Sequence, residues 1–154
     1  MLDTPVHAQH LSGSDAALIG KALLRAAEHL EIANKVLAKI IGLSESSLSR
    51  LRKGAFKLDG KSLELAILFV RAYRSLDAIV GGDDAVAASW LRNANTALGA
   101  APLEMLQTVS GLNNVINYLD RPRARIQRAI DGRPLLAICR SAAPHFDTKT
   151  DGHS

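Results

Sequence analysis

Residues 44–53 carry hydroxyl and basic side chains in an order that suits contact with DNA. Ser46 and Ser49 can reach base edges or phosphates. Arg50 can pair with two acceptors on guanine, Lys53 can neutralise a phosphate, and Glu45 can accept a hydrogen bond from a cytosine amino group. The candidate DNA-contacting residues are Ser44, Glu45, Ser46, Ser49, Arg50 and Lys53.

The positive charge of the chain is concentrated around this stretch. Between Lys35 and Lys61 there are seven basic and two acidic side chains, whereas the net charge of the whole chain is only +4. Cationic side chains that neutralise phosphates release counterions, and this release favours association with DNA. The structural alternative is a packed pair of helices whose basic face is simply solvated.

The elements that must hold these residues are two short helices joined at Gly42. Small or apolar residues lie at the positions typical of a helix-turn-helix, which are Leu37, Ala38, Ile41, Leu43, Leu48 and Leu51. Ala38 leaves room for the crossing of the two helices, and glycine makes the sharp turn without strain. Ser44 is a suitable N-cap for the second helix. The spacing therefore predicts that residues 44–53 form a DNA-reading helix.

The remaining sequence predicts further helices and no strands. Hydrophobic residues make up 47% of the chain and aromatic residues only 4%, a composition that favours helices over sheets. A helix capped by Ser14 or Asp15 is expected to run to about Leu30. A longer one, from about Ser62 to Val80, has apolar residues on more than one face and is expected to join two halves. Three more are predicted at 84–92, 101–109 and 112–119, with Ser110-Gly111 as a break.

Several classes of protein are disfavoured by the sequence. We found no phosphate-binding loop, paired-cysteine motif or nucleophile elbow, so we expect no enzyme, no cofactor and no metal site. The lone Cys139 excludes an intramolecular disulfide and suits a reducing cytoplasm. The N-terminus has no signal pattern, and no apolar run is long enough to span a membrane.

The second half of the chain carries a further set of motifs in a fixed order. They are Trp90-Leu91, Leu98-Gly99, Pro102-Leu103 with Leu106, then Gly111, Val115 and Tyr118-Leu119. Following a helix-turn-helix and a long helix, this series resembles the toxin-binding domain of the Xre/MbcA/ParS antitoxin family. Leu51, Gly54 and Leu58 resemble the family's Xre-like DNA-binding part. The resemblance covers about residues 15–126.

The resemblance implies an antitoxin of a type II toxin–antitoxin system. It implies a homodimer that binds the double-stranded DNA of its own promoter and represses its operon. The implied partner is a RES-domain toxin, an enzyme that consumes NAD or transfers ADP-ribose from it. By the same resemblance, the antitoxin blocks the active-site cleft of the toxin with its C-terminal end.

Three arginines follow the last predicted helix, at the place where that insertion is expected. Arg121, Arg123 and Arg125 alternate with Pro122, Ala124 and Ile126. An extended basic segment suits a cleft that contains carboxylates or accepts a dinucleotide. A solvated basic linker is the structural alternative. We take the three arginines as the candidate toxin-binding residues, and Trp90 and Tyr118 as core or dimer-interface aromatics.

The predicted organisation has four parts. Residues 1–14 form a flexible arm, 15–80 the Xre-like helix-turn-helix domain, 81–126 a small helical toxin-binding and dimerisation domain, and 127–154 a C-terminal extension. The extension departs from the family pattern. A stand-alone helix-turn-helix repressor without a toxin is the alternative function, because the helix-turn-helix is common to both. A pure assembly module would leave the local basic excess unexplained.

Overall fold

A computed structural model of the protein describes residues 12–121, and this part of the chain forms seven α-helices. They are α1 (Gly13–His29), α2 (Asn34–Ile41), α3 (Glu45–Arg52), α4 (Gly60–Val80), α5 (Asp84–Arg92), α6 (Pro102–Met105) and α7 (Val109–Leu119). Within this range the β-type pairing is one isolated bridge between Asn95 and Ala100. The prediction of an all-α fold with an N-terminal helix-turn-helix is confirmed.

The long helix α4 is the element on which the others are assembled. It packs against α1, α2, α5 and α7. Its buried side chains are Leu65, Ala66, Phe69, Ala72 and Leu76. Because neighbours cover it from both halves of the chain, the prediction of a helix that joins the two halves is confirmed. It begins at Gly60, slightly before the predicted start at Ser62.

One hydrophobic core runs through the described residues. Leu23 of α1, Phe69 of α4 and Leu112 of α7 are all buried in the same cluster. Trp90 and Tyr118 belong to it as well, with ring centroids 6.2 Å apart and nearly parallel ring planes. These two aromatics are therefore core residues, as predicted. Burial of such large side chains contributes strongly to the stability of a small helical fold.

The start of α1 differs from the prediction. Ser12, not Ser14 or Asp15, is the N-cap of this helix. The Ser12 hydroxyl accepts from the Asp15 amide, and the Asp15 carboxylate accepts from the Ser12 amide at 2.9 Å, so the two residues form a reciprocal capping box. Gly13 and Ser14, which we had assigned to the flexible arm, are consequently helical. Residues 1–11 of the predicted arm lie outside the described residues.

The junction of α6 and α7 also differs. Pro102 lies in the first turn of α6, as predicted, but α6 ends at Met105 and α7 already begins at Val109. The predicted break at Ser110-Gly111 is wrong, because both residues lie in the first turn of α7. The Thr108 hydroxyl accepts from the Gly111 amide at 3.1 Å. A Cβ at Gly111 would collide with the Met105 carbonyl oxygen. This glycine therefore allows two helices to approach closely.

Candidate functional site

The α2–α3 pair has the geometry of a helix-turn-helix. Gly42 adopts the left-handed conformation (φ 69°, ψ 32°), and the Leu43 amide donates to the Ala38 carbonyl at 2.9 Å. Ala38 is buried, as the predicted crossing of the helices requires. The Ser44 hydroxyl accepts from the Ser47 amide at 3.1 Å and caps α3. The predicted turn and cap are confirmed.

Helix α3 has one buried residue, and its other side faces outward. Leu48 is fully enclosed by the core, and Leu51 is half-buried beside it. The exposed residues include all six candidate DNA-contacting residues, namely Ser44, Glu45, Ser46, Ser49, Arg50 and Lys53. The structure thus brings the predicted set together on one accessible surface, which we call the α3 surface.

Arg50 lies at the C-terminal end of the α3 surface, next to an aromatic ring. Its guanidinium carbon is 5.7 Å from the centroid of the Phe56 ring. A cation over an aromatic face is attracted by the ring quadrupole, so Phe56 restrains the guanidinium without neutralising it. Among the described residues no carboxylate forms an ion pair with Arg50. Its positive charge therefore remains open to an anionic partner.

Arg52, two residues after Arg50 in the same helix, makes its contacts within the protein. Its guanidinium donates to the Asn34 side-chain oxygen at 2.8 Å and lies 3.4 Å from a Glu28 carboxylate oxygen. These contacts tie the end of α3 to the start of α2 and the end of α1. Arg52 is one of the seven basic residues between Lys35 and Lys61, but Glu28 and Asn34 already bind its guanidinium.

The turn between α5 and α6 is closed around a buried asparagine. Asn95 is 1% exposed, and its side-chain oxygen accepts from the amides of Ala97 and Leu98 at 2.9 and 3.3 Å. Gly99 follows in a left-handed conformation, and the Asn95 amide donates to the Ala100 carbonyl. The motif Leu98-Gly99 is therefore part of a compact turn.

Two protein-family models match consecutive parts of this fold. The antitoxin Xre-like helix-turn-helix domain matches residues 10–71, and the antitoxin Xre/MbcA/ParS C-terminal toxin-binding domain matches residues 75–125. Together they cover most of the chain in the order that the family requires. The chain belongs to the Xre/MbcA/ParS antitoxin family. A search of the curated proteins found no match to it.

Membership gives the antitoxin its general function. A helix-turn-helix implies DNA binding, and a toxin-binding domain implies a toxin partner. The family is regulatory and its members are generally not enzymes. Of the helices within residues 12–121, none is long and apolar enough to cross a membrane.

Of the three candidate toxin-binding arginines, the antitoxin structure describes one. Arg121 is exposed just after α7, and its guanidinium carbon is 5.3 Å from the centroid of the Tyr118 ring. The preceding residue, Asp120, forms an ion pair with Arg71 and accepts from the Ser75 hydroxyl at 2.9 Å. These contacts fix the point at which the chain leaves α7. Arg123, Arg125 and the extension 127–154 lie outside the described residues.

The first and the last residue of helix α5, Asp84 and Arg92, both contact the C-terminal end of α1 or the turn that follows it. At its start, an Asp84 carboxylate oxygen is 2.6 Å from the His29 Nδ1 atom. The His29 ring stacks on Tyr73, with ring centroids 6.0 Å apart. Burial, reinforced by the Asp77 and Asp84 carboxylates, raises the pKa of the Tyr73 phenol.

At the other end of α5, Arg92 binds the turn that follows α1. Its guanidinium donates to the Glu31 carbonyl at 2.7 Å and to the Leu30 carbonyl at 3.4 Å. The sequence showed a basic residue near a helix end, which is a common position, and gave no sign of this long-range partner.

Proposed function

We propose that this antitoxin neutralises a RES-type toxin and represses its own operon through the α3 surface. The observation that carries the DNA-binding part is the exposure of all six candidate residues on one face, with Arg50 and Lys53 free of described ion pairs. Arg50 is the proposed base-reading residue and Lys53 a phosphate contact. Ser44, Glu45, Ser46 and Ser49 complete the proposed contact set, and they lie toward the start of the helix.

The proposed toxin-inhibitory element is the segment that contains Arg121, Arg123 and Arg125. It is supported by the exposure of Arg121 at the end of α7 and by the basic sequence that follows. Arginine forms bidentate pairs with carboxylates, so a cleft with catalytic carboxylates would bind this segment well. The RES identity of the toxin follows from the family resemblance, in which the toxin supplies the NAD chemistry.

We further propose that the antitoxin acts as a homodimer with two α3 helices in successive major grooves of a palindromic operator. Leu18 of α1 is 67% exposed, which is unusual for a large apolar residue. The following residue, Ile19, lines an open groove together with Ile67, Val70, Arg71 and Arg74. A second copy would remove this apolar surface from water.

The test of the toxin-binding proposal is co-purification with the product of the adjacent gene, followed by an NAD-consumption assay. The wild-type chain should form a stable complex and suppress NAD turnover. The variant with Arg121, Arg123 and Arg125 all changed to Ala should fold normally and lose suppression. The combination of Lys21→Ala, Arg25→Ala and Lys39→Ala removes the same three charges from exposed positions of α1 and α2, and this matched control should inhibit like the wild type. Full suppression by the triple variant would remove the arginine segment from the mechanism.

A chain that binds promoter DNA but forms no complex with that toxin would support the stand-alone repressor instead.

The homodimer is tested by Leu18→Asp, which should convert a dimer to a monomer in analytical ultracentrifugation. The control Ser14→Asp, at an exposed polar site of the same helix, should leave the dimer intact.

A further inference from the structure

The turn between α1 and α2 contains a residue in an unfavourable backbone conformation. Of the residues described, Glu31 is the non-glycine residue with a positive φ, at 53°. A side chain at Cβ crowds the carbonyl in this left-handed region, so residues other than glycine adopt it only when their surroundings impose it. The contacts around Glu31 should therefore show what imposes this conformation.

This turn sets the position of the helix-turn-helix relative to the rest of the protein. The Glu31 amide donates to the Glu28 carbonyl at 3.0 Å, and the Ile32 amide donates to the Ala27 carbonyl at 2.9 Å. Ile32 is thereby directed into the core. Ala33 follows as the N-cap of α2 and offers no side-chain hydrogen bond to that helix. The direction in which α2 starts thus depends on the conformation of the turn.

Arg92 of α5 contacts this turn from the second half of the chain. Its donation to the Glu31 carbonyl at 2.7 Å is short, and the Leu30 carbonyl lies within reach of the same nitrogen. The other terminal nitrogen donates to the Ala88 carbonyl at 2.9 Å, which holds the guanidinium against its own helix. A cation at the C-terminal carbonyls of α1 is also attracted by the negative end of that helix dipole.

Arg92 and the turn belong to different family segments. Arg92 lies in the part matched by the toxin-binding domain, whereas Glu31 lies in the part matched by the helix-turn-helix domain. The contact between His29 and Asp84 joins the same two segments at the other end of α5. Helix α5 therefore braces the region from which α2 and α3 project.

We infer that Arg92 is a positioning residue for DNA binding, which holds the Glu31 turn and so orients α2 and α3 from within the toxin-binding segment. The inference rests on the proposed α3 surface. Arg92 does not need to touch DNA for this role, because its two terminal nitrogens already bind three carbonyl oxygens.

The experiment compares Arg92→Ala with the wild type and with Arg25→Ala as a matched control of charge. Backbone amide exchange measures the turn directly, and titration of a promoter-DNA duplex from upstream of the coding sequence, at several salt concentrations, measures DNA binding. For Arg92→Ala we expect exchange of the hydrogen-bonded amides of Glu31, Ile32 and Val36 to be about tenfold faster, with the amides of α7 unchanged. DNA affinity should fall about three- to tenfold with the same salt slope, because no phosphate contact is lost.

A second substitution tests the physical cause. Glycine adopts a φ of 53° freely, so Glu31→Gly in the Arg92→Ala background should recover most of the lost affinity. Arg92→Lys, which keeps one charged donor, should fall between Arg92→Ala and the wild type. If circular dichroism shows that Arg92→Ala does not fold, Arg92→Lys replaces it in the measurements of amide exchange and DNA affinity.

Three outcomes would overturn the inference. They are unchanged exchange of the Glu31, Ile32 and Val36 amides, unchanged DNA affinity despite faster exchange, and a salt slope reduced by about one, which would make Arg92 a phosphate contact. Failure of the proposed α3 surface has a different signature. In that case the wild type would not bind the duplex, or Arg50→Ala would bind it as tightly as the wild type does, while the exchange measurement would still report on Arg92 and the turn.

Discussion

The first turn of α3 and the first turn of α7 are closed by the same device, a hydroxyl that accepts from the amide three residues later. Ser44 accepts from Ser47 in α3, and Thr108 accepts from Gly111 in α7. The two helices then differ in what they bury. Leu48 is the buried residue of α3, whereas α7 buries Gly111, Leu112, Val115, Ile116, Tyr118 and Leu119. A helix anchored at so few points can devote its surface to a partner, while α7 has a mainly structural role.

The largest effect is expected in α7. Gly111→Ala places a Cβ against the Met105 carbonyl oxygen, so the backbone of the α6–α7 junction must move. We expect the free energy of unfolding to fall by about 2–4 kcal/mol, measured by urea denaturation. Ser110→Ala, at the exposed neighbouring position, should change it by less than about 0.5 kcal/mol. Wild-type stability for Gly111→Ala would mean that the two helices are not closely packed there.

The next effect concerns the α3 surface and should appear in binding. Arg50→Ala removes the proposed base-reading side chain and should weaken promoter binding by roughly 1–3 kcal/mol. The free energy of unfolding should fall by no more than about 1 kcal/mol, the value of an exposed contact such as that with Phe56. A mobility-shift assay measures the first quantity and urea denaturation the second. Full affinity in the variant would exclude Arg50 from the reading set.

The shared capping device allows a matched test of the comparison. Ser44→Ala and Thr108→Ala should each lower the free energy of unfolding by about 1 kcal/mol, because each leaves one helix amide without its acceptor. Only Ser44→Ala should also weaken promoter binding, since only α3 faces the proposed DNA. Equal affinities for the two variants would restrict Ser44 to a capping role and remove it from the contact set.

The smallest effect is expected for Lys53. Lys53→Ala should reduce the slope of log affinity against log salt by about one unit, because one phosphate contact is lost, and should leave stability unchanged. Arg25→Ala removes the same charge from an exposed position of α1 and serves as the control. If the two variants gave the same slope, the effect of Lys53 would be that of net charge alone.

The elements that sequence patterns predicted well are those specified by neighbouring residues. The turn at Gly42, the cap at Ser44 and the two-sided α4 each follow from spacing within one or two helical turns. The capping of α1 was misplaced because Ser12, Ser14 and Asp15 all have suitable side chains. Only the reciprocal bonds between Ser12 and Asp15 decide among them.

The features that the sequence could not predict depend on residues far apart in the chain. A Ser-Gly pair such as Ser110-Gly111 is typical of a helix break. The structural role of Gly111 instead depends on the Met105 carbonyl oxygen, which leaves no room for a Cβ. Arg50 and Arg52 have the same charge, but only Arg52 is bound by Glu28 and Asn34. The partner of Arg92 is likewise a turn in the other half of the molecule. Local periodicity carries no information about such contacts.

The continuity of α4 has a consequence for how such antitoxins diverge. The family segments end at residue 71 and begin again at residue 75, so their junction falls inside the single helix Gly60–Val80. Independent modules are normally joined by exposed linkers, where recombination can exchange them. Here a crossover would join two halves of one helix whose buried side chains pack against elements of both segments. A chain in which only one of the two segments has been exchanged should therefore be less stable than either parent.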